Sequence, residues 1–386
     1  MGLILKYNIR NLFVRRISTL MTLAGIGMVV GVFVVLMALA QGLATVGDVT
    51  GDPLQAIILQ RGTNAETMSN VSDESADVVE TIPSVPRDAD GLPLVSRDLL
   101  VVLNLPRPDG GPPANVVARG VTDRAFSLHR DVVVDGGRRP RGSDIIVSRS
   151  LAKRFASMQV GDRLRFGRRD WNVVAHFDAG GAAWESEIWV DINELGVDFK
   201  RENSSSVLYV RLNRPEDLAT INADLEANKD VAELKAMSLQ AYFDAQTGGA
   251  QGLRFVGAFI TLLLSVGAGL GAMNTMYAAI ANRAREIGTL RALGFSRLLI
   301  LGSFLFEATL IGLLGGLLGG LLALPVNGLQ TGTLNWVTFA ETAFRFHVTP
   351  GMLGAGLLIG GAVGAIGGFL PALAAARRPI LAALRA

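Results

Sequence analysis

Apolar residues fall into two regimes along this chain. Four stretches, residues 17–40, 253–281, 298–324 and 352–376, are apolar with hardly a break. Each is long enough to cross a bilayer as a helix, which takes roughly 20 residues. Between the first two, from about residue 43 to 252, apolar and polar positions alternate instead, and Pro, Gly and Asp become frequent. Alternation with period two over residues 99–105, 115–121, 144–147, 163–166, 170–177, 187–191 and 207–212 predicts short strands. Turns such as Asp135-Gly136-Gly137, Gly161-Asp162 and Gly180-Gly181 separate them. Helical spacing is weaker, at 148–157, 215–228 and 239–246, the last running into the second apolar stretch. The expected architecture is an α-helical membrane protein of four spans. Inserted between the first and second is an α+β domain of about 200 residues, large enough for its own core.

Two amphipathic segments flank these spans. Residues 3–15 place Leu5, Ile9, Leu12 and Phe13 on one face and Lys6, Arg10 and Arg15 on another, the pattern of a helix in the membrane interface. Residues 283–297, RAREIGTLRALGFSR, lie between the second and third spans. Arginine costs several kcal/mol at the bilayer centre, so this segment belongs on the membrane face. Leu290, Leu293 and Gly294 fall on one side and Arg285, Glu286 and Arg297 elsewhere, which suits a surface helix offering a docking face. An ordinary basic loop fits the spacing equally well.

Composition supports the membrane reading: half of the 386 residues are hydrophobic and 45 are glycine. Lys6, Arg10, Arg15 and Arg16 precede the first span, Arg283, Arg285, Arg291 and Arg297 surround the second junction, and Arg377, Arg378 and Arg385 end the chain. Glu286 is the single acid in those three segments. The positive-inside rule therefore puts both termini and the 283–297 segment in the cytoplasm, the 43–252 domain and the 326–351 loop outside. The formal charge of +2 is no sign of nucleic-acid binding, because the basic residues mark one membrane face. Ala38-Leu39-Ala40 before Gln41 resembles a signal-peptidase site, but the apolar run far exceeds the usual 7 to 15 residues, so an uncleaved anchor is expected.

Catalytic chemistry is sparse. There is no cysteine, which excludes thiol catalysis and cysteine metal sites, and no Gly-x-x-x-x-Gly-Lys-Ser/Thr, His-Glu-x-x-His or Gly-x-Ser-x-Gly motif. His129, His176 and His347 stand apart and read as packed or surface side chains, with no metal site expected. Glu307 is the carboxylate within the third span; pairing with an arginine such as Arg291 explains it better than catalysis. Asn274 in the second span reads as hydrogen-bonding glue between helices or toward a second subunit. Glycines four apart, Gly27 and Gly31, Gly315 and Gly319, Gly316 and Gly320, Gly360 and Gly364, and Gly364 and Gly368, predict close helix packing.

Residues 274–297, NTMYAAIANRAREIGTLRALGFSR, continuing through Phe306-Glu307-Ala308 and the glycines from Gly312 to Gly320, closely resemble the MacB/FtsX superfamily of ABC-transporter permeases. Residues 144–178 and 186–191 (SEIWVD), with the Phe344-Arg345-Phe346 approach to Pro350, resemble the MacB pattern as well. The tail departs from it, ending AARRPILAALR without the two acids of the family form.

The resemblance implies that residues 283–296 are a coupling helix, with Arg283, Arg285, Glu286, Ile287, Leu290, Arg291, Leu293 and Gly294 docking on a separate ABC-type ATPase and Glu307 anchoring the helix. It implies two permease copies, expected as a homodimer, with two ATPases that bind ATP and Mg in trans; this chain itself is expected to bind no cofactor and to catalyse nothing. The first two spans then transmit motion to the outer domain, for export or extraction, from the periplasmic side, of an amphiphilic substrate such as a drug, peptide, lipid or lipoprotein, by a complex set in the bacterial inner membrane. A periplasmic membrane-fusion protein and an outer-membrane channel are the further partners such systems use. The alternative within the same family is an FtsX-type signalling scaffold that activates a cell-wall hydrolase.

Overall fold

The computed structural model describes residues 16–107, 110–335 and 337–379. The interfacial helix expected over 3–15 and the divergent end of the tail lie outside them. The chain opens in helix α1 (Arg16–Thr50), which runs past the end of its apolar stretch because nothing breaks it before Gly51-Asp52-Pro53. Then come β1 (Gln55–Gln60), β2 (Val71–Ser72), α2 (Asp73–Thr81), β3 (Val95–Leu105), β4 (Ala114–Val121), α3 (Ala125–Leu128) and β5 (Val133–Val134). They are followed by β6 (Asp144–Ser148), α4 (Arg149–Arg154), β7 (Arg163–Phe166), β8 (Arg169–Asp178), β9 (Glu187–Asp191) and α5 (Ile192–Phe199). Next are β10 (Ser204–Ser205), β11 (Val207–Arg211), α6 (Asp217–Ala227) and β12 (Leu234–Ser238). Helices α7 (Leu239–Asn282), α8 (Ala284–Ala292) and α9 (Arg297–Ala323), strands β13 (Gln330–Leu334) and β14 (Glu341–Arg345), and helix α10 (Pro350–Arg377) complete the described chain.

These elements form two compact units. Among the described residues one is helical, built from 16–42, 250–329 and 346–379; the other is α+β, within 43–249 and 330–345. Among the described residues α1, α7, α9 and α10 are long and apolar enough to cross a membrane.

The α+β unit is built on a ten-stranded sheet in the order β12-β1-β11-β3-β4-β9-β6-β8-β5, with β7 beside β8. Pairs β4–β9 and β6–β8 are parallel and the others antiparallel. Strand β3 changes partner midway. Its residues 95–98 pair with β11 and its residues 99–105 with β4, so it joins two half-sheets. Side chains alternate across this sheet, as period two requires. Ala56 and Ile58 of β1 enter one apolar cluster with α2 and α6, whereas Ile57 and Leu59 enter another on the opposite face. That second cluster, which includes Trp184, Trp189, Tyr209 and Phe243, backs both half-sheets. Side-chain caps start the helices: Ser148 accepts from the Leu151 amide at 3.0 Å and Ser72 from Ser75 at 3.1 Å.

Several elements extend the sequence reading. Strands β1 and β12 and helices α2 and α5 were not expected. The 326–351 segment, expected as a plain loop, contains the β13–β14 hairpin, which forms part of the α+β unit.

Glycine governs packing in the helical unit. A methyl group built on Gly319 of α9 would overlap Gly27 of α1, and one on Gly27 would press on Gly315 and Gly319; Gly31 faces Gly319. Between α9 and α10, Gly360 meets Gly312 and Gly316, Gly364 meets Ala308 and Gly312, Gly368 meets Ala308, and Gly320 meets Leu353. Backbones thus touch where lipid supplies no hydrophobic drive.

Candidate functional site

Helix α8 is the short charged helix of the sequence reading, and its faces differ. Arg285, Glu286, Leu293 and Gly294 are exposed, and Leu290 and Arg291 are half-buried. Ile287 is buried, packed in one cluster with Met276 and Ile280 of α7, Phe304 of α9 and Ala372 of α10. Arg283, expected on the docking face, is buried instead: it sits at the α7–α8 junction, its Nη1 3.1 Å from Glu307 Oε2 of α9 and its guanidinium 6.0 Å from the Phe304 ring centre. Glu307 therefore pairs with Arg283 in place of Arg291. The reason is reach, since Arg283 precedes the first turn of α8 whereas Arg291 lies two turns along it.

Gly294 ends α8 with φ +94°. Its amide donates to the Arg291 carbonyl at 3.1 Å and the Phe295 amide to the Leu290 carbonyl at 3.2 Å, the paired bonds of a Schellman cap. Any side chain there would strain the backbone, so Gly294 shapes the helix end. Ser296 then caps α9 through its hydroxyl.

Asn274 is exposed on α7 in the single chain. Thr275 beside it makes the contact between helices: its hydroxyl lies 3.0 Å from that of Thr22 on α1. Spacing had not singled out these threonines, because hydroxyls are common on membrane helices. They border a cavity of about 40 Å³ within the helical unit, lined also by Ser18, Thr19, Met276 and Glu307. A cavity of this size and polarity has room for about two or three waters.

A second charge centre lies in the α+β unit, where the half-sheets meet. Arg119 of β4 is 1% exposed and is shared by three acids. Its Nε and Nη2 bind Glu187 of β9 at 2.7 and 2.8 Å, Nη2 also reaches Glu66 at 2.8 Å, and Nη1 reaches Asp98 of β3 at 3.1 Å. The guanidinium lies 4.6 Å from the Trp184 ring centre. Burial alone would strip its charge, but Glu187 and Glu66 outweigh it and hold Arg119 well above its usual range. The same burial, reinforced by Glu187, pushes Glu66 upward despite Arg119. For Asp98 burial also acts upward, but His129 and Arg119 prevail and its pKa is lowered. His129 packs edge-on against Tyr209 and tilted against Trp184, its Nε2 3.4 Å from Asp98, beyond a good hydrogen bond. Its expected role as a packed histidine agrees with that placement. No sequence signal joined residues 66, 98, 119 and 187, which meet only across strands.

Four apolar helices, an α+β unit inserted after the first and a short charged helix between the second and third define a membrane permease subunit with an extracytoplasmic domain. The family model described as the MacB-like periplasmic core domain matches residues 19–228, more than half the chain, and that described as the FtsX-like permease C-terminal matches residues 258–380. The chain belongs to this MacB/FtsX family of ABC-transporter permeases, whose members work with ABC ATPase partners. Among curated relatives, the macrolide export ATP-binding/permease protein MacB of Hahella chejuensis is 26% identical over 291 residues, covering 70% of this chain and 43% of the relative. That of Rhodopseudomonas palustris strain BisB18 is 25% identical over 394 residues, covering 96% and 58%. The chain thus spans about half the length of these relatives. The periplasmic region of MacB from Actinobacillus actinomycetemcomitans aligns over 52% of this chain and 95% of its own at 11% identity and TM-score 0.39. The extracellular domain of the transporter YknZ aligns over 47% and 99% at 13% identity and TM-score 0.35.

Proposed function

We propose that this chain is the transport subunit of an ATP-driven exporter, worked from the cytoplasmic face through α8. An ATPase bound in trans supplies ATP and Mg. Two copies of each subunit assemble, and the motion reaches the α+β unit in the periplasm to extract or export an amphiphilic molecule. The chain itself catalyses nothing. The names of the relatives, which pair an ATP-binding part with a permease, support this reading.

The observation that carries it is the construction of α8. Arg285, Glu286 and Leu293 face outward, while Ile287 and the Arg283–Glu307 pair fix the same helix to α7, α9 and α10. A helix so held can pass a push to the spans without bending, and its outward charges suit docking in a groove of a partner. Among the expected docking residues, Arg285, Glu286 and Leu293 then contact the ATPase and Arg283 positions the helix.

The test is Arg285→Ala with Glu286→Ala in the full chain, purified with the ATPase that accompanies it. Both side chains are exposed, so folding and insertion should be unchanged, while ATP hydrolysis should lose its dependence on the permease. Unaltered coupling in the double variant would remove α8 as the docking element.

A further inference from the structure

One strand pair of the α+β unit arrives from a distant part of the chain. Strands β13 and β14 lie in the connection between α9 and α10, yet they pack with residues 43–249. Among the described residues they pair only with each other and share no ladder with the ten-stranded sheet. What holds them is side-chain chemistry. Ser186 Oγ accepts from the Ala343 amide at 2.7 Å, Asn115 donates to the Phe339 carbonyl at 2.8 Å, and Gln330 donates to Ser150. Ala340, Ala343 and Phe344 are buried beneath the hairpin.

The strongest contact is ionic. Glu341 of β14 is 6% exposed and accepts from both Arg107 and Arg154. Its carboxylate lies over Gly332 of the facing strand, where a methyl group would overlap it. Arg154 meets Glu341 through Nη2, while its buried Nε and Nη1 have no hydrogen-bond partner among the described residues, so Glu341 is its counter-ion. Losing that carboxylate would leave a buried guanidinium poorly compensated, which strongly favours opening.

We propose that strands β13 and β14 are a latch, fastened by Glu341 between Arg107 and Arg154 over the clearance at Gly332, and that they open together while the ten-stranded sheet stays folded.

The absence of cysteine makes the test direct. Substitution A343C in the full chain introduces one thiol under the closed latch, and A118C introduces one in fully buried β4 as a control. With either thiol, alkylation by a polar maleimide is timed. Adding Glu341→Gln, or separately Gly332→Ala, should speed labelling of A343C about a hundredfold and leave A118C unchanged. Unchanged A343C labelling would overturn the latch, and so would an equal rise at A118C, which would make Glu341 a general stabiliser. Since no ATPase takes part, the outcome is independent of whether the docking role of α8 holds.

Discussion

Arginine is buried in both units, and the two settings differ in a telling way. In the helical unit Arg283 meets the carboxylate of Glu307 at 3.1 Å. In the α+β unit Arg119 meets three acids at once and lies against the face of Trp184. The surrounding packing differs in parallel. Lipid gives no reward for apolar contact between spans, so glycines bring backbones together and a charge is balanced at one junction. In the α+β unit apolar side chains interlock on both faces of a sheet, and a surplus of acids can be tolerated where half-sheets must be joined in one register. In the helical unit backbone packs against backbone; the α+β unit is pinned at its centre by charge.

That contrast can be broken most forcefully at Arg119. Replacement by leucine would leave three buried carboxylates uncompensated, and should cost about 3–5 kcal/mol. With Trp336 replaced by phenylalanine, the remaining tryptophans, at positions 171, 184 and 189, all belong to the α+β unit, so denaturant unfolding followed by tryptophan fluorescence reports that unit alone. Next in size is Gly364→Ala, whose methyl would overlap the Ala308 carbonyl. It should cost about 1–3 kcal/mol, read as a lower midpoint for loss of helix ellipticity with the fluorescence transition unmoved.

Glu66 sharpens the comparison through pH. Its folded pKa is raised, so the stability it contributes is present below its unfolded value of about 4.3 and is lost as pH rises through the folded value. Asp98, whose pKa is lowered, acts the other way, and its contribution is lost only as pH falls through its folded value. Glu66→Gln should therefore remove the decline in α+β stability above pH about 4.3 and leave the acid limb in place. A decline of the same size in the variant would assign it elsewhere. The smallest effect on stability belongs to Arg285→Ala with Glu286→Ala, within about 0.5 kcal/mol, although its effect on coupling should be the largest.

Much of this was legible in the residue pattern. The spans were, since lipid demands length and apolarity over a continuous run, and so were β7 and β8, whose alternation is clean. Strand β1 was not: QAIILQ is buried on both faces, so its alternation vanishes and it reads as a short apolar run. The hairpin was hidden because QTGTL and ETAFR are short and polar, and hold their place through Glu341, whose partners are some 190 and 230 residues away. Long-range pairing also concealed the Arg119 centre. The glycine pairs identified packing surfaces because their spacing is local. The same spacing could not reveal that Arg283 turns inward, since this depends on where Glu307 of α9 arrives.

The docking role of α8 is tested most directly by cross-linking. Thr289 is exposed on that helix and Ile287 is buried. In the cysteine-free chain, T289C carrying a short photo-activated cross-linker should capture the accompanying ATPase, with a yield that changes when ATP is added, whereas I287C should capture none. Capture from neither position, or equal capture from both irrespective of nucleotide, would contradict a permease driven through this helix.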